Sequence, residues 1–233
     1  MEIDELKVVA RSTEILRSIS MKVEKGEIVC LLGRNGAGKS SVLKSIIGIY
    51  RVKGGKIRFE GQDITNKSAH DRVMLGLAYS PEDTRVFPGL TVEDNINLGT
   101  WITSKTERAA AFRYEEVLQV FPDLEKLMKR KGQYLSGGEK KMVSITRALA
   151  LSPSLMLLDE SLEGLAPVVI KGFSEAMRNI RNLGISILLA ESNIRNAAQV
   201  AERSYILERG EFIFEGHPNK IMEDERLLRI VGR

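Results

Sequence analysis

Eight consecutive residues near the start of the chain have the types and the spacing that a phosphate-binding loop requires. Residues 33–40 read G-R-N-G-A-G-K-S and match the pattern G-x-x-x-x-G-K-[ST] in full. Glycines at these places let backbone amides turn inward around an anion at the start of a helix. In such a loop Lys39 reaches the β- and γ-phosphates of a nucleotide, and the Ser40 hydroxyl ligates Mg²⁺. The predicted nucleotide-binding residues of this segment are Gly33, Arg34, Asn35, Gly36, Ala37, Gly38, Lys39, Ser40 and Ser41.

A second candidate site is a pair of acids at the end of an apolar run. Residues 155–158 are L-M-L-L, and Asp159 and Glu160 follow directly. A strand that ends beside a phosphate loop places its acid over the bound metal. The next acid then faces the attacking water as a general base. We therefore predict Asp159 as a metal ligand, and Glu160 together with Lys39 of the phosphate loop as catalytic residues.

A third segment combines a helix start with two glycines. Residues 135–139 read L-S-G-G-E, in which Ser136 and Glu139 have the spacing of a capping box. Gly137 and Gly138 lower the stability of a helix at these positions. The bare amides of a helix N-terminus suit a phosphate group, and glycines permit its close approach. The motif therefore predicts a second contact to a nucleotide as well as a helix cap.

The pattern of apolar runs predicts the architecture that positions these motifs. Short, fully apolar runs that alternate with amphipathic helices indicate parallel strands buried on both faces. Other runs alternate between apolar and polar residues, as antiparallel strands with one wet face do. We therefore predict an α/β fold: a P-loop NTPase (RecA-like) core with a mixed sheet, an N-terminal antiparallel β-subdomain and an inserted α-helical subdomain. The predicted buried strands are residues 28–32, 155–158 and 185–189, the helices 38–47 and 168–182, and the alternating strands 15–23 and 56–59.

The middle of the chain is predicted to be the helical insertion. Thr91 and Asp94 form another capping pattern before an apolar run, residues 109–121 carry apolar side chains at helical spacing, and Pro122 begins a further helix. We predict one domain across residues 1–233. Its α/β core covers about 1–83 and 151–233, and its helical subdomain covers about 84–150.

The amino-acid composition excludes several classes of protein. The 233 residues carry a net charge of +4, with 43% apolar and 28% charged residues, which is ordinary for a globular protein. Basic residues are spread along the chain, and the short cluster at 126–131 is explained as a solvated helix end, so no nucleic-acid partner is expected. The single cysteine, Cys30, permits no disulfide within the chain and fits a reducing compartment. No apolar run approaches the roughly 18 residues of a membrane span, so work at a membrane would need spans from another chain.

Taken together, these motifs resemble those of ATP-binding cassette (ABC) ATPases. Residues 135–139 look like the signature motif of that family, in its expected order between the phosphate loop and the paired acids. The resemblance implies two cassettes that face each other head to tail, with each ATP between the phosphate loop of one and the signature motif of the other. It therefore implies ATP and Mg²⁺ as ligands and a second ABC ATPase, identical or paralogous, as a partner. The signature residues that would contact the nucleotide are Ser136, Gly137, Gly138 and Glu139.

The resemblance also assigns three further positions by motif order. Glu82 stands where the family has its Gln loop, residues 163–165 resemble the D-loop, and Ser192 occupies the switch-histidine position. It thus implies Glu82 as a metal ligand and Ser192 as a catalytic residue. The two histidines, His70 and His217, lie in polar, surface-like stretches, and we expect no catalytic role for them.

Within this family the chain is similar to the ATPase subunit of branched-chain amino-acid importers. The matching segments are 31–40, 79–83, 86–95 and 163–167. Pro81-Glu82 in place of Pro-Gln, and a residue other than histidine at position 192, are typical of one of that importer's two ATPase types. The likeness implies membrane-spanning permease subunits as partners, an indirect link to a periplasmic or extracellular solute-binding protein, and a peripheral location on the cytoplasmic face of the cell membrane. The ATPase of urea importers is a close alternative.

Several departures from the family pattern bear on nucleotide affinity and hydrolysis. The aromatic residue that would stack on adenine should fall near Val9 and Ala10, and neither is aromatic, which predicts weaker nucleotide binding. Ser192 lacks the polar arm of the usual Gln or His, and Ser161 and Leu162 stand where Pro and Ser are usual. Three alternatives stay open: a regulatory cassette that binds ATP but scarcely hydrolyses it, a DNA-repair or chromosome-structure ATPase, and a translation-factor cassette. The last two fit less well, because the sequence shows no extended heptad run and one cassette only.

Overall fold

The computed structural model describes residues 1–10, 13–103 and 114–231, and these residues build two β-sheets surrounded by helices. The strands are β1 (Glu2–Ala10), β2 (Thr13–Lys22), β3 (Ile28–Leu32), β4 (Val52–Phe59), β5 (Gln62–Asp63), β6 (Leu77–Ser80), β7 (Leu155–Asp159), β8 (Ser186–Glu191), β9 (Arg203–Glu208) and β10 (Glu211–Gly216). The α-helices are α1 (Lys39–Ile46), α2 (Ala69–Leu75), α3 (Val92–Thr103), α4 (Tyr114–Val120), α5 (Gly137–Leu149), α6 (Pro167–Asn182), α7 (Ile194–Ala197), α8 (Pro218–Glu223) and α9 (Glu225–Val231). None of these described helices is both long enough and apolar enough to span a bilayer.

The larger sheet has the strand order β10-β9-β3-β8-β7-β6, and all of its pairs except β10–β9 are parallel. Strands β3, β7 and β8 are buried along their whole length, which explains why their sequences are continuous apolar runs. Alternate side chains enter two separate cores, with Val29 and Leu31 on one side of the sheet and Cys30 on the other. The predicted mixed sheet and the predicted burial of Cys30 are therefore confirmed.

Pairing in register brings the carboxyl ends of three strands to one edge of this sheet. Leu32 pairs with Glu191, and Asp159 pairs with Ala190. The segments that follow β3, β7 and β8 therefore leave the sheet side by side. Ligands of open parallel sheets bind at this edge. The sheet thus places the three predicted motifs near one another: residues 33–40, Asp159 with Glu160, and Ser192.

The smaller sheet is antiparallel, with the order β2-β1-β4-β5, and it confirms the predicted N-terminal β-subdomain. Strand β2 alternates between exposed and buried side chains. Its buried residues Leu16 and Ile19 share one core with Val42 and Leu43 of α1. The helix that follows the phosphate loop is therefore held between the two sheets. The strands predicted at 15–23 and 56–59 are both present, although they begin earlier, at Thr13 and Val52.

The helical lobe is built by packing α3 against α5. Thr91 and Asp94 exchange the two hydrogen bonds of a capping box, from Asp94 N to Thr91 Oγ1 at 3.1 Å and from Thr91 N to Asp94 Oδ2 at 3.2 Å. Gly99 permits the close approach of the two helices, because a Cβ there would lie 2.6 Å from the carbonyl oxygen of Arg147. The division of the chain into a core and a helical lobe at about residues 84–150 stays a prediction.

The segment after α3 differs in part from the sequence prediction. Of the helix predicted at 109–121, residues 109–113 lie outside the described part of the chain, and α4 covers most of the remainder. The helix predicted at Pro122 is a six-residue 3₁₀ helix, Pro122–Leu127. Its backbone closes i to i+3 hydrogen bonds, such as Leu124 N to Phe121 O at 3.0 Å, so the turn is tighter than that of an α-helix.

Candidate functional site

The phosphate-loop candidate connects β3 to α1 through backbone conformations that glycine adopts most easily. Gly36 and Gly38 have φ angles of 83° and 113°, in the left-handed region. Gly38 is also the N-cap of α1, so the unpaired amides of the first helical turn belong to this loop. Gly33 lies so close to the Leu207 carbonyl that a Cβ would collide with it. The result is a set of amides at a helix N-terminus, an arrangement that suits an anion.

A buried ion pair joins this loop to the end of β7. Lys39 Nζ lies 2.9 Å from Glu160 Oε1, and the two side chains are 4% and 5% exposed. Lys39 Nζ also donates to the Gly33 carbonyl at 2.8 Å and to Ser192 Oγ at 3.1 Å. A buried charge without a partner is costly, so each member of the pair offsets the cost of burying the other. The structure therefore brings together the three residues predicted to be catalytic: Lys39, Glu160 and Ser192.

Asp159 has a separate set of contacts on the same edge of the sheet. Ser40 Oγ donates to Asp159 Oδ1 at 2.8 Å, and Tyr79 Oη donates to Oδ2 at 2.9 Å. Burial, and then the charge of Asp159, raise the pKa of Tyr79, so its hydroxyl stays protonated as a donor. Two of the three predicted metal ligands, Ser40 and Asp159, are thus adjacent. Sequence analysis missed Tyr79, although its position two residues before Pro81-Glu82 placed it at the carboxyl end of β6.

Glu160 and Ser192 are held together by several hydrogen bonds. Ser192 N donates to Glu160 Oε2 at 3.2 Å. The single proton of Ser192 Oγ can go to Glu160 Oε1 at 2.7 Å or to Asn35 Oδ1 at 2.9 Å. The serine at the switch position is therefore long enough to contact Glu160 and the phosphate loop.

A cavity of about 560 Å³ at the carboxyl edge of the sheet is lined by Asn35, Lys39, Ser40 and Glu160. Glu82, the third predicted metal ligand, is exposed and lines the same cavity. Ile15 of β2 supplies an apolar wall beside Ser40 and Ser41, whereas Val9 is not among the described residues that line this cavity. Sequence analysis missed Ile15, because the contact between the β-subdomain and the phosphate loop is not local in sequence.

The signature-like segment begins α5 and lies outside this cavity. Ser136 and Glu139 form the predicted capping box, from Glu139 N to Ser136 Oγ at 3.3 Å and from Ser136 N to Glu139 Oε2 at 2.6 Å. Among the residues that the structure describes, no atom of another segment lies within 4 Å of the place where a Cβ of Gly137 would stand. None of residues 136–139 is among the described residues that line the cavity beside Lys39. Within one subunit, therefore, the structure does not bring the signature-like segment to the phosphate loop.

Glu191, the last residue of β8, is a buried carboxyl that sequence analysis also missed. It is 1% exposed, and its Oε1 accepts a hydrogen bond from Leu162 N at 2.9 Å. Burial raises the pKa of Glu191 to about 8, and the neighbouring charge of Glu160 adds to the effect, whereas the bond from Leu162 and the charge of Lys141 oppose it. Glu191 therefore connects the switch residue Ser192 to the segment after Glu160 at the cost of burying a carboxyl.

Replacement of Glu191 by Gln should change how the stability of the fold depends on pH. The folded-state pKa is about 8 and the ordinary value is 4.5, so between these values the folded chain binds more protons than the unfolded chain. Wild-type stability therefore falls as the pH rises through that window, by at most about 1.4 kcal/mol per pH unit from this group. Glu191→Gln keeps an acceptor for Leu162 N and has no proton to lose. We expect its melting temperature to exceed that of the wild type by a margin that grows from pH 5 to pH 8.

The control for this comparison is Glu175→Gln, which removes the same charge from the exposed face of α6. Differential scanning calorimetry at several pH values would show a nearly constant difference between this control and the wild type. A margin for Glu191→Gln that is equally independent of pH would contradict the account of the buried carboxyl.

Comparison with known protein families identifies a single family over most of this chain. The sequence model of the ABC transporter family matches residues 16–163. The high-affinity branched-chain amino acid transport ATP-binding protein BraG of Pseudomonas aeruginosa is 38% identical over 200 residues, which are 86% of this chain and 85% of BraG. The lipopolysaccharide export system ATP-binding protein LptB of Haemophilus influenzae is 34% identical over 224 residues, 94% of this chain and 91% of LptB. The probable branched-chain amino acid transport ATP-binding protein LivF of Archaeoglobus fulgidus is 34% identical over 221 residues, 94% of this chain and 93% of LivF.

Solved structures agree with the sequence relatives on the fold. The ADP conformation of MJ1267, an ATP-binding cassette of an ABC transporter, superposes with a TM-score of 0.86 at 24% identity and covers both chains completely. The structure of an ATP-binding subunit of an ABC transporter gives a TM-score of 0.81 at 28% identity, over 100% of this chain and 94% of that chain. The predicted P-loop NTPase fold is thereby confirmed. From the family match, the sequence relatives and this fold, we conclude that the chain belongs to the ABC transporter family, as an ATP-binding subunit that hydrolyses ATP.

Proposed function

We propose that this chain binds Mg-ATP in the cavity beside residues 33–41 and hydrolyses it as one half of a head-to-tail pair that powers import across a membrane. The observation that carries the proposal is the convergence of Lys39, Asp159 and Glu160 at one edge of a parallel sheet. Lys39 begins α1, whereas Asp159 ends β7 and Glu160 follows it, and the register of the strands places these two segments together. Ile15 lines the cavity and would give the adenine base an apolar contact in place of a stacked aromatic ring.

The ion pair between Lys39 and Glu160 supports a link between nucleotide binding and hydrolysis. On binding, the Lys39 ammonium would turn from Glu160 to the β- and γ-phosphates of the nucleotide. Glu160 would then be free to orient the attacking water and to accept its proton. The water oxygen bonds to the γ-phosphorus as the bond from that phosphorus to the β–γ bridging oxygen breaks, which yields ADP and inorganic phosphate. Ser192, which contacts both charged side chains, would hold Glu160 in place during this exchange.

The contacts of Ser40 and Asp159 support a magnesium site. A hydroxyl and a carboxylate oxygen 2.8 Å apart are hard oxygen donors of the kind that Mg²⁺ prefers. Mg²⁺ also keeps water and phosphate oxygens as ligands, so few protein side chains are needed. The metal would supply charge stabilisation to the transferred phosphoryl group. Tyr79 orients the second oxygen of Asp159, and Glu82 is the exposed candidate for a further contact.

The position of the signature-like segment supports a second subunit. The N-terminus of α5 is open on its outer side, and Gly137 and Gly138 leave its amides accessible. A helix N-terminus attracts phosphate, yet this one lies outside the cavity of its own subunit. A second cassette in head-to-tail arrangement would bring its own nucleotide to these amides and complete both sites.

ATP should drive this pairing in a variant that binds it without hydrolysis. We expect Glu160→Gln with Mg-ATP to elute as a dimer in size-exclusion chromatography with light scattering, because each nucleotide bridges two subunits. Mg-ADP should leave it monomeric, and Lys39→Ala should remain monomeric with either nucleotide because its phosphate contact is lost. A monomer in all of these conditions, with ATP bound, would contradict pairing between two copies and would require a paralogous cassette as the partner.

A second surface supports coupling to a membrane-spanning permease. Phe87, Trp101 and Ile102 are 52%, 63% and 51% exposed, and they line a groove of about 560 Å³ between α3 and the loop after β6. Large exposed apolar side chains that cluster in this way mark interaction surfaces. Arg147 of α5 donates to the carbonyl of Arg85 at 2.8 Å, so the wall of the groove is tied to the helix that begins with the signature-like segment. A permease segment in this groove could therefore sense closure of the pair.

We propose branched-chain amino acids as the transported substrates. BraG and LivF carry that name, and Pro81-Glu82 together with a residue other than histidine at 192 resembles one ATPase type of such importers. LptB proteins are nearly as similar, so export of a lipopolysaccharide is the competing candidate. The cassette itself does not contact the cargo in this arrangement, and specificity would reside in the permease and in a solute-binding protein. The same proposal places the chain on the cytoplasmic face of the cell membrane.

Uptake in the organism that encodes the chain would separate these candidates. Deletion should abolish uptake of labelled leucine, isoleucine and valine, and the wild-type gene should restore it, whereas Lys39→Ala should not. Trp101→Ser should also fail to restore uptake while the purified protein keeps its ATPase activity, because the groove and not the nucleotide site is altered. Ile213→Ser, which changes an exposed apolar residue on β10, should restore uptake. Normal amino-acid uptake with lipopolysaccharide retained at the inner membrane would contradict import.

A further inference from the structure

The segment that follows the catalytic glutamate is held by a lysine from the signature helix. Lys141 Nζ donates to the carbonyl oxygen of Glu160 at 2.7 Å and to that of Glu163 at 2.6 Å. Lys141 lies one helical turn after Gly137 on α5 and therefore on the same face of the helix. One side chain thus joins the helix that begins with residues 136–139 to both ends of the segment 160–163.

The surroundings of Lys141 keep the ammonium directed into this segment. The side chain is half-buried, and burial lowers the pKa of Lys141, while the carboxylates of Glu191, Glu163, Glu160 and Glu82 oppose that shift. Hydrogen bonds from a charged donor are stronger than those from a neutral one. A neutral side chain of similar length would leave the two carbonyls without this donor.

The backbone that Lys141 holds is strained at the catalytic residue. Glu160 has a φ of 46°, in the left-handed region that a residue with a Cβ seldom adopts. Its amide donates to Ala190 O at 2.9 Å, and Leu162 N donates to Glu191 Oε1 at 2.9 Å. Two amides of the segment are therefore fixed by β8, and Lys141 fixes the carbonyls of Glu160 and Glu163. The Glu160 carbonyl also accepts a longer bond from Glu163 N, at 3.3 Å. Loss of either set of hydrogen bonds would allow the backbone of Glu160 to relax and its carboxylate to move relative to Lys39.

We propose that Lys141 is a positioning residue for hydrolysis, which links the signature helix of a subunit to the catalytic glutamate of the same subunit. This inference rests on the proposed head-to-tail pair. In that pair the signature helix contacts the nucleotide held by the partner, whereas Glu160 acts on the nucleotide of its own subunit. Lys141 then couples the two nucleotide sites of the dimer mechanically, because a shift of α5 moves the backbone of Glu160.

The test compares Lys141→Met with Lys140→Met, which removes the same charge from the neighbouring residue of the same helix. We expect Lys141→Met to lower kcat for Mg-ATP by about 10- to 100-fold, the usual effect of a misplaced catalytic group, with KM and the ATP dissociation constant within about twofold of the wild type. The Hill coefficient for ATP should fall towards one. Lys140→Met should match the wild type in all of these quantities, and Lys141→Arg, which can donate to both carbonyls, should recover most of the rate.

Amide hydrogen exchange of the peptide that covers residues 160–165 tests the contact made by Lys141 independently of the rate of ATP hydrolysis. Its amides should exchange at least about tenfold faster in Lys141→Met than in Lys140→Met, since easier local opening raises exchange. Equal exchange in the two variants, or a wild-type kcat in Lys141→Met, would overturn the inference. A parallel loss of ATP affinity and melting temperature in both Lys141→Met and Lys141→Arg would also overturn it and would show a structural role only. If the wild type itself lacked turnover, the proposed function would fail, and the exchange comparison would still decide whether Lys141 holds the segment.

Discussion

The buried contact between Lys39 and Glu160 is the interaction on which the rest of the structure depends. Both charges lie inside the protein, and removal of one member of a buried pair costs about 3–5 kcal/mol, because the other is left unpaired. The pair forms only if the start of α1 lies beside the end of β7, and the charged atoms of Lys39 and Glu160 are 2.9 Å apart. The parallel sheet meets that requirement, since β3, β8 and β7 are adjacent and in register. The cores on both faces of the sheet then stabilise this arrangement.

The contact between Lys39 and Glu160 also relates the structure to the proposed hydrolysis of ATP. In the proposed mechanism a phosphate would draw Lys39 away from Glu160, so binding of the nucleotide would itself release the proposed general base. Three further side chains make hydrogen bonds near this pair. Tyr79 donates to Asp159, Ser192 donates to Glu160, and Glu191 accepts from the backbone amide of Leu162. Lys141 joins α5 to the backbone carbonyls of Glu160 and Glu163. The apolar groove beside Trp101 is also lined by Tyr79, whose hydroxyl contacts Asp159, so a proposed membrane subunit bound there could act on the site.

Local patterns in the sequence predicted the parts of the site that are local in the chain. The phosphate loop, the acids after β7 and the capping box at Ser136 each need only a few consecutive residues, and the continuous apolar runs predicted the parallel strands. The contacts that sequence analysis missed join distant segments: Ile15 to the phosphate loop, Tyr79 to Asp159, and Lys141 to the carbonyl of Glu160. Their partners are backbone groups or side chains far along the chain, and no spacing rule encodes them. The helix predicted to begin at Pro122 is present as a 3₁₀ helix, a type that the sequence pattern did not specify.

The most direct test of this account is the steady-state rate of Mg-ATP hydrolysis by the purified chain beside that of Glu160→Gln, with ATP affinity measured on both. Gln has nearly the same shape as Glu but cannot take the proton of water, and it no longer forms an ion pair with Lys39. The account predicts turnover by the wild type, a loss of at least about 100-fold in the variant, as expected when a general base is removed, and ATP affinity that is not weakened. Turnover by Glu160→Gln within a few-fold of the wild type would contradict the assignment of Glu160 and the role of its contact with Lys39.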